Sequence, residues 1–204
     1  NWVDPNCAIK CKGKLKYYMV IQPLNGFVSQ YKDYNRGVSE QILNLDIDQK
    51  KLLYEKLLIN HLPENRIYQY DFFYDNCSSR IRDILQEVLG DDLILYQHKD
   101  AGKKSFREII EVNLASQPWL DLGIDLVLGS RIDVMANNKH LMFLPKYMEQ
   151  IFDSSYVIDK KGSEKPFVIK KIQLVNSIKK PVEDLTGTGI YFWVSLFITL
   201  GLII

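Results

Sequence analysis

The sequence predicts an α+β fold, in which helices pack on an antiparallel sheet. Strand-like segments and amphipathic helical segments are mixed along residues 15–178, and residues 156–178 alternate in part and contain Gly162 and Pro166, as a hairpin does. The chain has 204 residues, of which 47% are apolar, and this is enough for one domain with its own core.

The first half of the chain carries clear signals for where one helix begins and ends. Asp46 is followed three residues later by Gln49, the spacing of a capping box, and Pro63 stops the helix that this box begins. The predicted elements in order are a strand over residues 15–21, a turn at Asn25-Gly26, a short helix over 26–35 that presents Phe27 and Tyr31, a strand over 38–45, the capped helix, and an aromatic extended segment over 68–74.

A further helix is predicted to begin near Arg80 and to end before Gly90. Four apolar residues recur along it at helical spacing, so we expect them to form the face that packs on the core. They are Ile81, Ile84, Leu85 and Val88. Beyond this helix the pattern predicts a charged loop over residues 91–104 and helices over 106–112 and 144–152.

Residues 75–80, Asp-Asn-Cys-Ser-Ser-Arg, are the most informative part of the chain. They place Cys77 between the aromatic segment and the start of a helix. A helix N-terminus favours negative charge, and its unpaired backbone N–H groups can hold an oxyanion, so a cysteine there suits nucleophilic acyl transfer. We therefore predict that Cys77 is a catalytic nucleophile and that the N–H groups of Cys77 and Ser78 bind the oxyanion.

These residues also have structural interpretations. Free cysteines are usually buried small hydrophobes, but the polar neighbours of Cys77 favour the catalytic interpretation. Arg80 either pairs with Asp75, which we favour, or receives a phosphate or oxyanion. Tyr70 and the other aromatic residues of 68–74 either pack in a core or line an acyl groove.

Charged residues further along the chain form a second group of candidates. Asp125 and Arg131 lie in a stretch that mixes apolar positions with aspartates and glycines. They either form a polar network near the site or brace a turn, and the sequence favours neither.

Composition excludes several classes of function. The net charge is +1, so nothing indicates a nucleic-acid partner. The three cysteines lack the spacing of a metal site and the three histidines are scattered, so no metal and no other cofactor is expected. Cys7 and Cys11 are expected to fill a core, with a local bridge as the alternative.

The end of the chain indicates a membrane segment. Residues 186–204 contain no charged residue, and about 20 apolar residues cross a bilayer as a helix. The aromatic residues 191–193 lie where an interfacial belt belongs. We expect one domain over residues 1–180, with part of it preceding Asn1, and the start of a transmembrane region over residues 186–204.

Several blocks of the sequence resemble the Lnb-type lipoprotein N-acyltransferases, bacterial inner-membrane proteins with a papain-like periplasmic domain followed by membrane helices. The most specific are Asp-Asn-Cys-Ser-Ser-Arg-Ile-Arg-Asp at residues 75–83 and the stretch 119–133, which contains Gly-Ile-Asp and Leu-Gly. Weaker matching blocks lie at residues 4–6, 12–15, 36–45, 63–70 and 143–145.

The resemblance implies a permuted papain-like fold of the NlpC/P60 type on the periplasmic side of the inner membrane. It implies that Cys77 takes an acyl chain from a phospholipid as a thioester and passes it to the N-terminal amine of a lipidated lipoprotein. The candidate site residues are Asn76, Cys77, Ser78 and His61 for catalysis and Tyr70, Asp75, Arg80, Asp125 and Arg131 for substrate binding.

The chain departs from the family pattern at the catalytic base. The family carries its base histidine upstream of the cysteine in a Trp-Gly-His block, whereas Trp2 is followed by Val3 and Asp4. We expect the base to precede Asn1, with His61, otherwise a solvated or capping histidine near a helix end, as the alternative. His98 and His140 are predicted to lie in loops.

Two other functions stay open at this point. The first is a thiol peptidase or amidase of the same fold that acts on cell-wall peptides with the same nucleophile. The second is a membrane-anchored binding module without catalytic activity, which the lack of a positioned histidine would favour.

Overall fold

A computed structural model describes residues 16–114, 123 and 128–177. The described residues divide into two compact units, the first comprising residues 16–103 and 135–177 and the second comprising residues 104–114, 123 and 128–134. Helices are mixed with antiparallel strands, which confirms the predicted α+β class.

The elements of the described chain follow one another in short segments. In chain order they are β1 (Lys16–Tyr18), α1 (Leu24–Asp33), β2 (Val38–Leu43), α2 (Ile47–His61), β3 (Ile67–Gln69), α3 (Cys77–Leu89), a 3-10 turn (Gly90–Asp92), β4 (Leu93–Ile94), α4 (Phe106–Leu114), a second 3-10 turn (Gly129–Ile132), α5 (Asn138–Leu141), α6 (Pro145–Asp153), β5 (Tyr156–Ile158), β6 (Glu164–Pro166) and β7 (Val168–Val175).

The strands of the first unit pair in three small antiparallel sheets within the described residues. β1 pairs with β3, so that Tyr17 lies opposite Tyr68. β2 pairs with β7, with Glu40 opposite Ile172. The third sheet has the order β4-β5-β6, and β5 and β6 form the hairpin that the sequence predicts around Gly162.

The core of the first unit is rich in aromatic residues. Phe73 and Phe143 are almost completely buried, and their ring centroids lie 5.5 Å apart. Phe152 packs edge-on against Phe167 at 5.2 Å. Aromatic pairs at these distances add to the stability that burial alone provides. The second unit buries its own apolar residues, among them Phe106, Ile109 and Ile132.

Several sequence predictions are confirmed in detail. The N–H of Gln49 donates to Oδ1 of Asp46 at 2.8 Å, and Oε1 of Gln49 accepts from the N–H of Asp46 at 2.9 Å, which completes the capping box of α2. Phe27 and Tyr31 contact each other on α1, with ring centroids 4.4 Å apart. Gly90 follows α3 with a φ of +55°, a conformation that glycine adopts without strain.

Other predictions are wrong. Asn25-Gly26 lies inside α1 instead of forming a turn, and His140 lies on α5 instead of in a loop. Residues 93–94 form β4 within the predicted loop, because they pair with β5. By contrast, the prediction of a helix that begins near Arg80 with Cys77 at its start is confirmed, since α3 begins at Cys77, where the side chain of Asn76 caps it.

Three predictions concern residues outside the described part of the chain. They are the transmembrane region over 186–204, the core positions of Cys7 and Cys11, and the position of Asp125. None of the helices built from described residues has the length and apolar composition that crossing a membrane requires. The papain-like arrangement stays a prediction.

Candidate active site

Asn76 determines where α3 begins and therefore where Cys77 lies. Its Oδ1 accepts hydrogen bonds from the N–H groups of Ser78 and Ser79, both at 2.9 Å. Its own N–H donates to Oγ of Ser79 at 2.8 Å. These contacts satisfy backbone donors that have no partner within the helix, so Cys77 becomes the first helical residue.

The amide nitrogen of Asn76 ties this helix start to the core. Nδ2 donates to the carbonyl oxygen of Phe72 at 2.8 Å and to that of Phe143 at 2.9 Å. Asn76 is 3% exposed, so both bonds are shielded from water. Since the side chain bonds from both its oxygen and its nitrogen, it holds Cys77 in one position relative to the aromatic segment.

The segment just before Asn76 is a tight chain reversal. The N–H of Asp71 donates to the carbonyl oxygen of Asp75 at 2.9 Å, and the N–H of Asp75 donates to that of Asp71 at 3.0 Å. Oδ1 of Asp71 also accepts from the N–H groups of Phe73 and Tyr74. The reversal brings the chain into α3 with Phe73 buried and Cys77 exposed.

The Cys77 thiol is free and opens into a groove of about 270 Å³. Ile81 and Ile84 line this groove, whereas the sequence predicts that they pack in the core. The described residues around Cys77 in the groove are Tyr18, Met19, Leu57, Asn60, Asn65, Arg66, Tyr68, Arg80, Ile81 and Ile84.

Arg80 is held against two neighbours in the groove. Its Nε and Nη2 donate to the two carboxylate oxygens of Asp75 at 2.7 and 2.8 Å, which confirms the predicted pair. The guanidinium carbon lies 3.8 Å from the ring centroid of Tyr68. Burial, followed by the charge of Cys77, raises the pKa of Tyr68, so its hydroxyl stays protonated near the thiol.

Sequence reasoning did not single out Tyr68 among the aromatic residues of this segment. The sequence analysis named Tyr70 as the substrate-binding candidate. Tyr70 stacks on Tyr17 with ring centroids 4.3 Å apart, and it is not part of the groove lining. The sequence does contain one signal for Tyr68. Asp75 precedes Arg80 by five residues and can hold its guanidinium in place, and the flat face of a guanidinium packs well on an aromatic ring.

The predicted oxyanion site has one donor where two were expected. The N–H of Ser78 already donates to Asn76 Oδ1, so the prediction for Ser78 does not fit this geometry. Among the described residues, the N–H of Cys77 has no acceptor, so it stays available to an oxyanion. Ser78 itself is 2% exposed and serves the helix start.

The three histidines belong to the first unit and are partly buried, with His61 at the end of α2, His98 in a loop and His140 on α5. None of them lines the groove, within the part of the chain that the structure describes. His61 is the last residue of α2, and its Nδ1 is buried without a hydrogen-bond partner among the described residues. Burial, with smaller effects of Arg82 and Lys139, lowers the pKa of His140. His98 accepts at Nδ1 from the N–H of Asp100.

The remaining charged candidates lie elsewhere. Arg82, which follows Cys77 by five residues, is 4% exposed and points into the protein, where it pairs with Asp83 and donates to the carbonyl oxygen of Lys139 at 2.7 Å. Arg131 lies in the 3-10 turn of the second unit, and Asp125 lies outside the described residues.

Within the described residues, the fold and the site define an α+β domain that presents a free, exposed thiol at the N-terminus of a helix. Residues 11–110 match the Lnb N-terminal periplasmic domain, and this match supports the resemblance to the Lnb-type proteins. The matched range contains Cys77 and every described residue that lines the groove. Comparison with curated proteins and with solved structures gave no match.

Proposed function

We propose that this protein is a cysteine-dependent acyltransferase of the bacterial inner membrane, acting on the periplasmic side. It moves a fatty acyl chain from a phospholipid to the N-terminal amine of a lipidated lipoprotein. The observation that carries the proposal is the exposed Cys77 thiol in a groove with apolar and cationic walls. Ile81 and Ile84 suit an acyl chain, and Arg66 and Arg80 suit the phosphate of the same lipid.

The reaction takes place in two steps. In the first, the Cys77 thiolate attacks the ester carbonyl, a C–S bond forms and the ester C–O bond breaks, and the leaving alkoxide takes a proton to give a lysophospholipid. In the second, the lipoprotein amine attacks the thioester, a C–N bond forms and the C–S bond breaks. The amine proton returns to the thiolate, so Cys77 is regenerated. The N–H of Cys77 is positioned to stabilise the oxyanion in both steps.

The first step needs a base for the thiol proton. His61 lies one helical turn after Leu57, a groove residue, on the same face of α2, and its buried Nδ1 has no partner among the described residues. If His61 is the base, replacing it by Gln slows thioester formation by about 100-fold or more. An unchanged rate would show that His61 is not the base.

The test of the proposal is intact-protein mass spectrometry after incubation with phospholipid vesicles and no acceptor amine. We expect a fatty-acyl adduct that hydroxylamine removes and that maps to Cys77. The Cys77→Ser variant tests the residue assignment, and alkylation of Cys77 in the unmodified protein shows that the thiol is accessible. If Cys77 is alkylated but never acylated, the proposal is wrong, and cleavage of a cell-wall peptide then identifies the peptidase alternative.

A further inference from the structure

A continuous strip of exposed apolar side chains borders the groove of Cys77. Single exposed apolar residues are common, but a contiguous patch marks an interaction surface. The exposed fractions range from 45% for Leu62 to 65% for Tyr18. We call this strip the apolar rim, and its members are Tyr18, Val20, Ile21, Ile59, Leu62 and Ile67.

Backbone hydrogen bonds hold the members of the rim side by side. Tyr18 on β1 lies opposite Ile67 on β3, and residues 20–21 continue the chain from β1. Just beyond this pair the N–H of Met19 donates to the carbonyl oxygen of Arg66 at 3.0 Å. Because Tyr18, Met19 and Arg66 also line the groove, the rim is continuous with its mouth.

The end of α2 extends the rim on the other side of Arg66. The N–H of Arg66 donates to the carbonyl oxygen of Leu62 at 2.9 Å, and the N–H of Leu62 donates to that of Ile59 at 3.2 Å. Ile59 near the end of α2 and Leu62 just after it therefore lie next to the exposed Arg66, and the turn between Leu62 and Arg66 also carries the exposed Glu64. This combination of apolar and cationic groups is typical of surfaces that enter the headgroup region of a bilayer.

We propose that the apolar rim docks on an anionic phospholipid bilayer, so that a lipid passes from the bilayer into the groove of Cys77 without crossing water. The inference rests on the proposed function, in which the acyl donor is a bilayer lipid. Charge complementarity supports this occupant, because three cations lie beside the rim, Arg66 and Arg80 in the groove lining and the exposed Lys16 on β1, and they outnumber the two carboxylates beside them, Glu64 and Asp75. A protein bound to the rim would cover the groove mouth and exclude the donor.

A fluorescence experiment tests the contact without requiring activity. In full-length protein whose Trp2, Trp119 and Trp193 are replaced by Phe, we compare Val20→Trp with Ile169→Trp. The two positions are equally exposed, at 63%, and Ile169 lies on β7, outside the rim. The probe is vesicles of phosphatidylethanolamine and phosphatidylglycerol that carry a spin-labelled lipid.

We expect the spin label to reduce the emission of the Val20→Trp variant about twofold and to leave that of Ile169→Trp nearly unchanged. Equal quenching of the two variants would overturn the inference. So would protection of the Val20→Trp variant from acrylamide in the absence of lipid, because it would mean that another protein segment or a second copy covers the rim.

A second experiment asks whether docking delivers the donor. The double variant Val20→Asp, Ile21→Asp changes two exposed residues that do not line the groove. We expect this variant to form the Cys77 thioester from vesicle phospholipid at least about tenfold more slowly, because it lacks the two apolar side chains that would move from water into the bilayer on docking. Its rate with monomeric dihexanoyl phosphatidylcholine should equal that of the unaltered protein, and Ile169→Asp should match the unaltered protein with both donors.

The two experiments separate failure of the inference from failure of the proposed function. Equal vesicle rates for the double variant and the unaltered protein would overturn the docking surface and leave the acyltransferase proposal intact. Absence of an adduct from either donor in the unaltered protein would overturn the acyltransferase proposal, and the quenching comparison would still decide whether the rim contacts lipid.

Discussion

Asn76 connects the nucleophile to the rest of the molecule through both ends of one amide. Its oxygen accepts from the first turn of α3, and its nitrogen donates to carbonyl oxygens of Phe72 and Phe143. An aspartate would keep the acceptor and lose the donors, and it would place a charge against two carbonyl groups. Asparagine is therefore the side chain that meets all of these requirements while almost fully buried.

We expect Asn76→Ala to lower the free energy of unfolding by about 3 kcal/mol, because it removes a helix cap and leaves buried polar groups unpaired. Asn76→Ser retains a cap acceptor and should recover about 1 kcal/mol of that loss. Urea denaturation measures both. Asn44→Ala is the matched control, since Asn44 makes one side-chain bond to the carbonyl oxygen of Pro166 and should cost about 1 kcal/mol. Equal losses for the two alanine variants would contradict this role of Asn76.

Asp75 is expected to matter for binding more than for stability. The Asp75–Arg80 pair is about 40% exposed on each side, so Asp75→Asn should lower the free energy of unfolding by less than about 1 kcal/mol. Without the carboxylate, Arg80 is no longer fixed in the groove, and we expect the KM for phospholipid to rise about tenfold with little change in kcat. Asp133→Asn removes the matching partner of Arg107 in the second unit and should leave KM unchanged.

Sequence alone predicts the local part of this site and misses the distant part. The pairing of Asp75 with Arg80 and the position of Cys77 at a helix start follow from residues within six positions of one another. The second half of the Asn76 network depends on Phe143, which is 67 positions away, and no local pattern indicates that contact. The Ser78 prediction failed for a related reason, since it did not include the competition of a side-chain oxygen for the same N–H.

One face of α3 packs in the core, and another face lines the groove. Its buried positions include Arg82, Leu85 and Leu89, while Ile81 is 49% exposed and lines the groove with Ile84. A hydrophobic pattern identifies apolar residues but does not tell a core from a substrate groove, because both are apolar. Arg82 can occupy a core position because Nε and Nη2 of its guanidinium donate to Asp83 and Nη1 donates to the carbonyl oxygen of Lys139.

Ile81→Glu distinguishes the two faces of α3. Because Ile81 is half exposed, we expect the free energy of unfolding to change by no more than about 0.5 kcal/mol. The charge should raise the KM for a long-chain phospholipid about tenfold, whereas Leu85→Ala should cost about 3 kcal/mol of stability. Ile94→Glu, a similarly exposed position on β4, is the control for added charge. A loss of stability from Ile81→Glu as large as that from Leu85→Ala would assign Ile81 to the core.

Contacts between residues far apart in the sequence hold the first unit together. β2 and β7 pair over residues that are about 130 positions apart, and Gln41 on β2 donates to the carbonyl oxygen of Glu149 on α6 at 3.0 Å. The sequence predicts β1, β2 and the β5–β6 hairpin from local patterns but misses β4, and the predicted helices are present among the described residues. It does not predict which strands pair, because several short strands of similar composition compete and the decision depends on the whole core.

The packing of α5 should make the stability of the whole protein depend on pH. Burial, Arg82 and Lys139 lower the pKa of His140 below its usual value of 6.5, so the folded state favours the neutral ring. The stability that the folded state gains from the neutral ring is fully present above pH 6.5. It is lost as the pH falls through the lowered pKa, because the unfolded chain then binds the proton more readily than the folded chain does. Removal of this histidine should therefore make the protein less sensitive to mild acid.

We expect His140→Gln to lose less stability than the unaltered protein between pH 8 and pH 5.5, as measured by the midpoint of urea unfolding at each pH. Lys139→Gln should also reduce the loss, though by less, because Lys139 is the smallest of the three causes that lower the pKa of His140. The slope of stability with pH is informative here, since any substitution on α5 can shift stability by a constant amount. Identical slopes for His140→Gln and the unaltered protein would show that acid sensitivity arises at other groups.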